Sequence, residues 1–208
     1  MSQIHVIAHT HWDQEWYFTR QDSMVLASYN FAEVIETLEQ DPAWQCYHLD
    51  GQMAVVDDFL AINPDYRPRL EKLVREKSVF VGPWFTQTDT YNVHGESIIR
   101  NLKYGIFAAR ALGHAMQVGY LPDTFGHNAQ MPTILQGCNI DNIVFWRGID
   151  HDTQAKNSQF LCARRQVQPS SPVQWRWGMV RPRTCARRPA ICTARSTDGG
   201  SAAFTIAD

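Results

Sequence analysis

Cysteine is scarce and unpatterned in this chain: there are five, an odd number, and no Cys-x-x-Cys pair. That suits neither a disulfide framework nor a thiolate zinc site, and reduced thiols are the simplest reading. No apolar run approaches the roughly 18 residues needed to cross a bilayer. No basic segment followed by an apolar stretch opens the chain, so neither a membrane span nor a secretory signal is expected, and the expected compartment is cytoplasmic. An excess of charge is missing too. The 19 Lys and Arg nearly balance 21 Asp and Glu, which argues against nucleic acid or an anionic membrane as partner of the whole chain. What is present is 208 residues with a hydrophobic share of 44%, enough for one domain, or part of a larger one, with a sizeable core.

The near-neutral average conceals a break. Through Phe160 there are 19 acidic and 11 basic residues, whereas from Leu161 onward eight Arg face only Asp198 and Asp208, and no Lys follows Cys162. The text there runs Arg181-Pro182-Arg183-Thr184-Cys185-Ala186-Arg187-Arg188-Pro189, with neither the period of a strand nor that of a helix. Such Arg, Pro, Ala and Cys usage is what a GC-rich gene yields when read out of frame. The competing reading is a basic, disordered extension that binds something anionic. The expected division is therefore 1–160 as one domain, or part of one, and 161–208 as a frameshifted or disordered tail.

Residues 1–160 contain no internal repeat and alternate short apolar runs with helical patterns, the signature of βα units and a parallel sheet. Strands are expected at 4–8, 44–49, 78–81, 117–121 and 142–146, and helices at 24–38, 53–62, 66–76, 96–112 and 130–136, with Asn63 or Asp65 available as a cap. In such folds the polar residues just after parallel strands gather at one rim, where active sites lie. Strand one is followed by His9, His11 and Asp13; strand three by Trp84, Gln87 and Asp89; strand four by Asp123 and His127; strand five by Arg147 and Asp150.

His9-x-His11-x-Asp13 leaves a strand with metal-competent side chains at alternate positions, so they can converge on one point. Imidazole nitrogen with carboxylate oxygen suits zinc, with cobalt or manganese as alternatives. A lone His would more simply be a satisfied core residue; three such groups in alternation favour a metal. The spacing alone does not name a reaction, because metal-dependent amidohydrolases also begin with His-x-His after a first barrel strand. Asp123, in Leu121-Pro122-Asp123-Thr124-Phe125-Gly126-His127-Asn128, is either a helix cap or a rim carboxylate that binds the same metal and attacks an electrophilic carbon, as retaining glycosidases do.

Taken together, His9-Thr10-His11-Trp12-Asp13-Gln14-Glu15-Trp16, Gly82-Pro83-Trp84 with Gly95-Glu96-Ser97-Ile98-Ile99-Arg100, and Asp123-Thr124-Phe125-Gly126-His127 resemble the family 38 glycoside hydrolases, within which the text looks closest to the bacterial mannosylglycerate hydrolases. The resemblance covers about residues 1–160. It implies an α/β fold, the N-terminal part of a seven-stranded parallel β/α barrel, here incomplete. It implies a retaining α-mannosidase acting on an α-mannoside, with Zn2+ held by His11, Asp13 and Asp123, and Asp123 doubling as nucleophile. His9 then becomes a neighbour of the site. Trp16 matches an aromatic on which the sugar stacks, or else packs under a loop; Phe125 matches a residue lining the same subsite, or else packs; Arg147 matches an arginine that orients the nucleophile. Asp89 falls where the family shows an Asp-Glu pair, but Thr90 follows it here, leaving its role open. Trp84 and His127 read as support. Full-length relatives are expected to be homo-oligomeric. The family takes its general acid and a fourth zinc ligand from segments beyond the third motif, so the chain alone is expected to lack both. Two competing readings follow: an inactive remnant of a disrupted mannosidase gene, and a metal-dependent amidohydrolase or deacetylase.

Overall fold

A computed structural model of the chain describes residues 7–145 and 147–148, together with the backbone of 159–163 and 174–179. Five helices and seven strands follow in the order β1 (Ala8–Thr10), α1 (Arg20–Gln40), β2 (Tyr47–Leu49), α2 (Met53–Ile62), a 3-10 turn (Pro64–Tyr66), α3 (Arg67–Arg75), β3 (Val79–Phe80), α4 (Gly95–Leu112), β4 (Gly119–Tyr120), α5 (Met131–Gly137), β5 (Asn142–Phe145), β6 (Gln159–Ala163) and β7 (Gln174–Met179). The alternation expected up to β5 is present.

Helix starts follow local chemistry. The Thr19 hydroxyl accepts from the Asp22 amide and so caps α1 four residues before the apolar stripe begins, offering a side-chain oxygen to one of the orphaned first-turn donors. That stripe buries Ala27, Phe31 and Ile35. His94 caps α4 through the Glu96 amide. Asn63 and Asp65 do not cap with their side chains: Asn63 instead reaches Ser28 Oγ and the Phe59 carbonyl. α4 approaches the loop after β3 at Gly105, where a Cβ would lie 2.1 Å from the Trp84 carbonyl carbon; only the absence of a side chain allows that approach. Trp84, Phe31, Phe59, Leu49, Leu102, Leu121 and Phe145 belong to one apolar core that spans both groups of strands.

Parallel pairing is as expected for β1 with β2, β2 with β3 and β4 with β5, and β7, in a segment where no strand was expected, also lies parallel to β5. The barrel is not closed. Among the described residues the strands form two small sheets, β1-β2-β3 and β4-β5-β7-β6, with no ladder between β3 and β4. Both of these strands are only two residues long, and Pro83, just beyond β3, has no amide to donate. A bond from the Met116 amide to the Val81 carbonyl spans the gap instead. β6 departs from the all-parallel pattern by running antiparallel to β7.

Two of the boundaries that differ from expectation bear on the site and the tail. The first strand lies at 8–10 rather than 4–8, of which 4–6 fall outside the described residues, so His9 is inside β1 and His11 is the first residue beyond it. The change of composition at Leu161 falls within β6 rather than at the edge of an element. Over 159–163 and 174–179 the backbone is paired strand, not the disorder expected from Leu161 onward; the rest of the tail lies outside the described residues, as does Asp150. A cross-strand ladder needs only backbone donors and acceptors, which is why an unpatterned side-chain text does not preclude it.

Candidate metal centre and active site

Each of the five parallel strands β1 to β5 delivers polar residues to the same rim, and the key residues of the first and third motifs meet there. His11 and Asp13 come from the turn after β1 and Asp123 from the loop after β4. His11 Nε2 lies 3.5 Å from an Asp13 oxygen and 3.7 Å from an Asp123 oxygen, and one ligand atom from each of the three falls within 4.8 Å of the others. Ligand atoms about 2.1 Å from a tetrahedral zinc stand roughly 3.4 Å apart, so the donor set has the right chemistry and close to the right spread for a divalent cation. His9, by contrast, hydrogen-bonds through Nδ1 to the neighbouring Thr10 carbonyl at 3.2 Å and takes no part in the cluster.

On its other side, His11 meets Asp50. His11 Nδ1 is 3.1 Å from Asp50 Oδ1, and that hydrogen bond is the main reason the imidazole pKa is raised, burial opposing it and the charges of Asp50, Asp13 and Asp123 adding to it. Asp50 was not among the residues singled out in the sequence. The signal was nevertheless there: Asp50-Gly51-Gln52 follows an apolar strand just as the other clusters do. Asp50 and Gly51 both adopt left-handed backbone, with φ of 45° and 68°, a turn that Asp and Gly tolerate better than other residues.

Asp123 is held differently. Arg147 sits after β5 and donates from Nε to the Asp123 carbonyl at 3.1 Å, while its Nη2 contacts Asp123 Oδ1. The guanidinium therefore clamps main chain and side chain together, with one nitrogen on each. One oxygen faces Arg147 and the other faces His11. The Arg147 guanidinium also lies 4.0 Å from the centre of the Phe125 ring, a cation–π contact, and Phe125 is 71% exposed. It is not a packing residue. Trp16 is exposed as well, with one face stacked on Tyr17 at 4.5 Å, so a loop does not bury it.

Asp123 is no helix cap: α5 begins at Met131, and Asn128 Oδ1 receives the Gln130 amide just before it. Asp89 accepts from the Phe125 amide at 3.0 Å, which makes it an anchor for the Asp123 loop. Thr90 beside it is buried, donates to the Gly126 carbonyl at 2.9 Å and accepts from the Asn128 amide at 3.1 Å. Thr124 returns a bond to the Thr88 carbonyl. In this way the loops after β3 and β4 are zipped together where their strands are not. His127 Nε2 bonds the Arg147 carbonyl, and its pKa is lowered by burial against that bond. Trp84 is fully buried.

The model of the glycosyl hydrolases family 38 N-terminal domain matches residues 1–176. A protein of Halalkalibacterium halodurans named "Putative mannosylglycerate hydrolase" is 34% identical over 146 residues, 70% of this chain and 16% of that one. Alpha-mannosidase 2C1 of Mus musculus is 27% identical over 168 residues, 71% and 16% of the two chains. Among solved structures, an alpha-mannosidase from Enterococcus faecalis V583 superposes with a TM-score of 0.74 at 28% identity, covering 83% of this chain and 19% of that chain. The chain spans about a sixth of the length of the curated relatives it matches. No helix among the described residues is long and apolar enough to cross a membrane. The amidohydrolase reading is overturned by these matches: the chain belongs to the family 38 glycoside hydrolases, the family of the α-mannosidases, and carries part of their N-terminal domain.

Proposed function

We propose that this chain is the nucleophile-bearing part of a zinc-dependent, retaining α-mannosidase, with mannosylglycerate as its candidate substrate. The observation that carries the reading is the convergence of His11, Asp13 and Asp123 on one point with Arg147 braced against Asp123. The name of the relative from Halalkalibacterium halodurans supports the choice of substrate. His11, Asp13 and Asp123 would hold the cation. All six assigned residues, these three with Trp16, Phe125 and Arg147, lie in the segment 1–160 that we assign to the catalytic domain, and none falls in 161–208.

A divalent cation held by His11, Asp13 and Asp123 would supply Lewis acidity toward the hydroxyls of the bound sugar. Asp123 attacks the anomeric carbon, forming a glycosyl ester as the bond to the departing oxygen breaks; water then hydrolyses the ester with net retention. Arg147, by clamping one carboxylate oxygen and the main chain of the same residue, fixes the line of attack. The open face of Trp16 and the exposed ring of Phe125 offer apolar surface to the C–H side of a pyranose. The proton donor to the departing oxygen is not among the residues that the resemblance carries over onto this chain.

Metal analysis and hydrolysis of p-nitrophenyl α-mannoside and mannosylglycerate test this, using the 208-residue chain beside a version continued in frame to the length of its relatives. Stoichiometric zinc, cobalt or manganese in both, with mannose released only by the longer protein and with retained configuration, is the expected outcome. Metal-independent hydrolysis, or inverted product, would sink the reading.

A further inference from the structure

Asp50 is 1% exposed, yet it carries an ionisable carboxyl group, and burying such a group is costly unless donors surround it. Here they do. Oδ2 accepts from the Trp12 amide at 2.8 Å and from Gln52 Nε2 at 2.7 Å; Oδ1 accepts from Gln87 Nε2 at 3.0 Å and faces His11 Nδ1 at 3.1 Å. The two glutamines are themselves locked. Gln52 Nε2 also donates to the Trp12 carbonyl, Gln52 Oε1 receives the Gln87 amide, and Gln87 Nε2 also donates to the Asp50 carbonyl. The carboxylate thus ties together the ends of β1, β2 and β3 and has no freedom to turn.

Three amide N–H groups already point at the two Asp50 oxygens, which act as acceptors in this network. With His11 Nδ1 as the fourth donor, a neutral ring keeps its lone pair on Nε2, the nitrogen that faces Asp13 and Asp123. Lone pair and carboxylate oxygens together are a set of electron-pair donors pointed at one place. We propose that Asp50 is the positioning residue of the metal centre, holding the His11 ring in the orientation and tautomer that present Nε2 to the cation. This rests on the metal-centre reading above. A carboxylate behind a ligand imidazole fixes the ring and raises its basicity, and loss of such a partner weakens metal binding by about 10- to 100-fold.

Two measurements on the full 208-residue chain test the assignment. Long-range 1H–15N correlation of the metal-free wild type, at a pH high enough to leave His11 neutral, should show Nδ1–H and an unprotonated Nε2. Zn2+ affinity, measured by competition with a chromophoric chelator, should fall about 10- to 100-fold in D50N, with the ring tautomer redistributed and a cooperative thermal transition retained. Wild-type His11 protonated on Nε2 would overturn the proposal without any variant having to fold. So would a folded D50N that binds zinc as tightly as wild type, which would leave the metal centre itself standing. A wild type that binds no zinc would overturn the metal centre and this proposal together.

Discussion

The two halves of the metal centre are built on opposite plans. His11 is held from behind by a carboxylate sunk in the core, whose donors come from three successive strand ends. Asp123 stands at an open rim, about a third exposed, and is steadied by an arginine that is itself 40% exposed. The difference separates two properties that a ligand list merges. On the His11 side the groups that orient the ligand also hold the fold, whereas on the Asp123 side the ligand is attached to the fold through a loop zipper and can be lost with little structural consequence.

The largest effect expected is on the metal itself. H11A and D123A should each abolish Zn2+ binding within the range of a chelator competition, since three ligands leave no redundancy. D123A should change the unfolding free energy by no more than about 1 kcal/mol, because the Arg147 pair it removes is solvent-screened. The next effect should fall on the other half. D50A leaves the Trp12 amide without its acceptor and takes one of two acceptors from each glutamine amide, and at about 1–3 kcal/mol for a donor left unsatisfied it should cost more stability in urea than D123A does. Equal losses from the two variants would break the comparison.

Between the halves, T90V removes the hydroxyl that bonds both the Gly126 carbonyl and the Asn128 amide. It should lose about 1–2 kcal/mol and weaken zinc binding by letting the Asp123 loop drift from His11, with T90S restoring both. The core beneath the first sheet should show in the acid limb. His48 is buried, its ring edge against Tyr120, and burial, with the charge of His9 beside it, lowers its pKa to about 3. The folded state therefore keeps it neutral while the unfolded chain protonates it near 6.5, so stability is full above that value and falls as pH drops from there toward 3. The slope from this one group is up to about 1.4 kcal/mol per pH unit, and H48L should flatten it in urea titrations at stepped pH. The smallest effect is expected at the open rim. A Cβ on Gly126 would come within 2.2 Å of the Tyr91 ring, but that ring is 72% exposed and its bond to the His127 carbonyl is at the surface, so the ring can swing aside and G126A should stay within about 0.5 kcal/mol of wild type in thermal unfolding.

Much of this was legible in the chain. The apolar stripes of α1 and α4 and the apolar run at 142–145 identify elements that bury one face, and the polar text after each run marks the rim, because strand and helix periods are local properties. Less legible were the ends. Thr19 starts α1 ahead of its stripe, and β1 begins late, since capping and pairing partners lie outside the periodic pattern. Asp89 was legible as a candidate but not as an anchor, for its partner is the amide of Phe125, distant in sequence.

By itself, the sequence determined the order of elements, the family motifs, and the chemistry gathered at the rim: one imidazole and two carboxylates with an arginine nearby. Tertiary structure alone decided that Asp50, rather than His9, is the second partner in the first half of the site, that Arg147 clamps both the main chain and the side chain of Asp123, and that β3 and β4 are joined through their loops without a ladder. The physical reason is the same in each case. A side chain's neighbours within its own element follow from a period of two or 3.6 residues, whereas a hydrogen bond between strand ends depends on three or four separate loops arriving together, and no local pattern records that meeting.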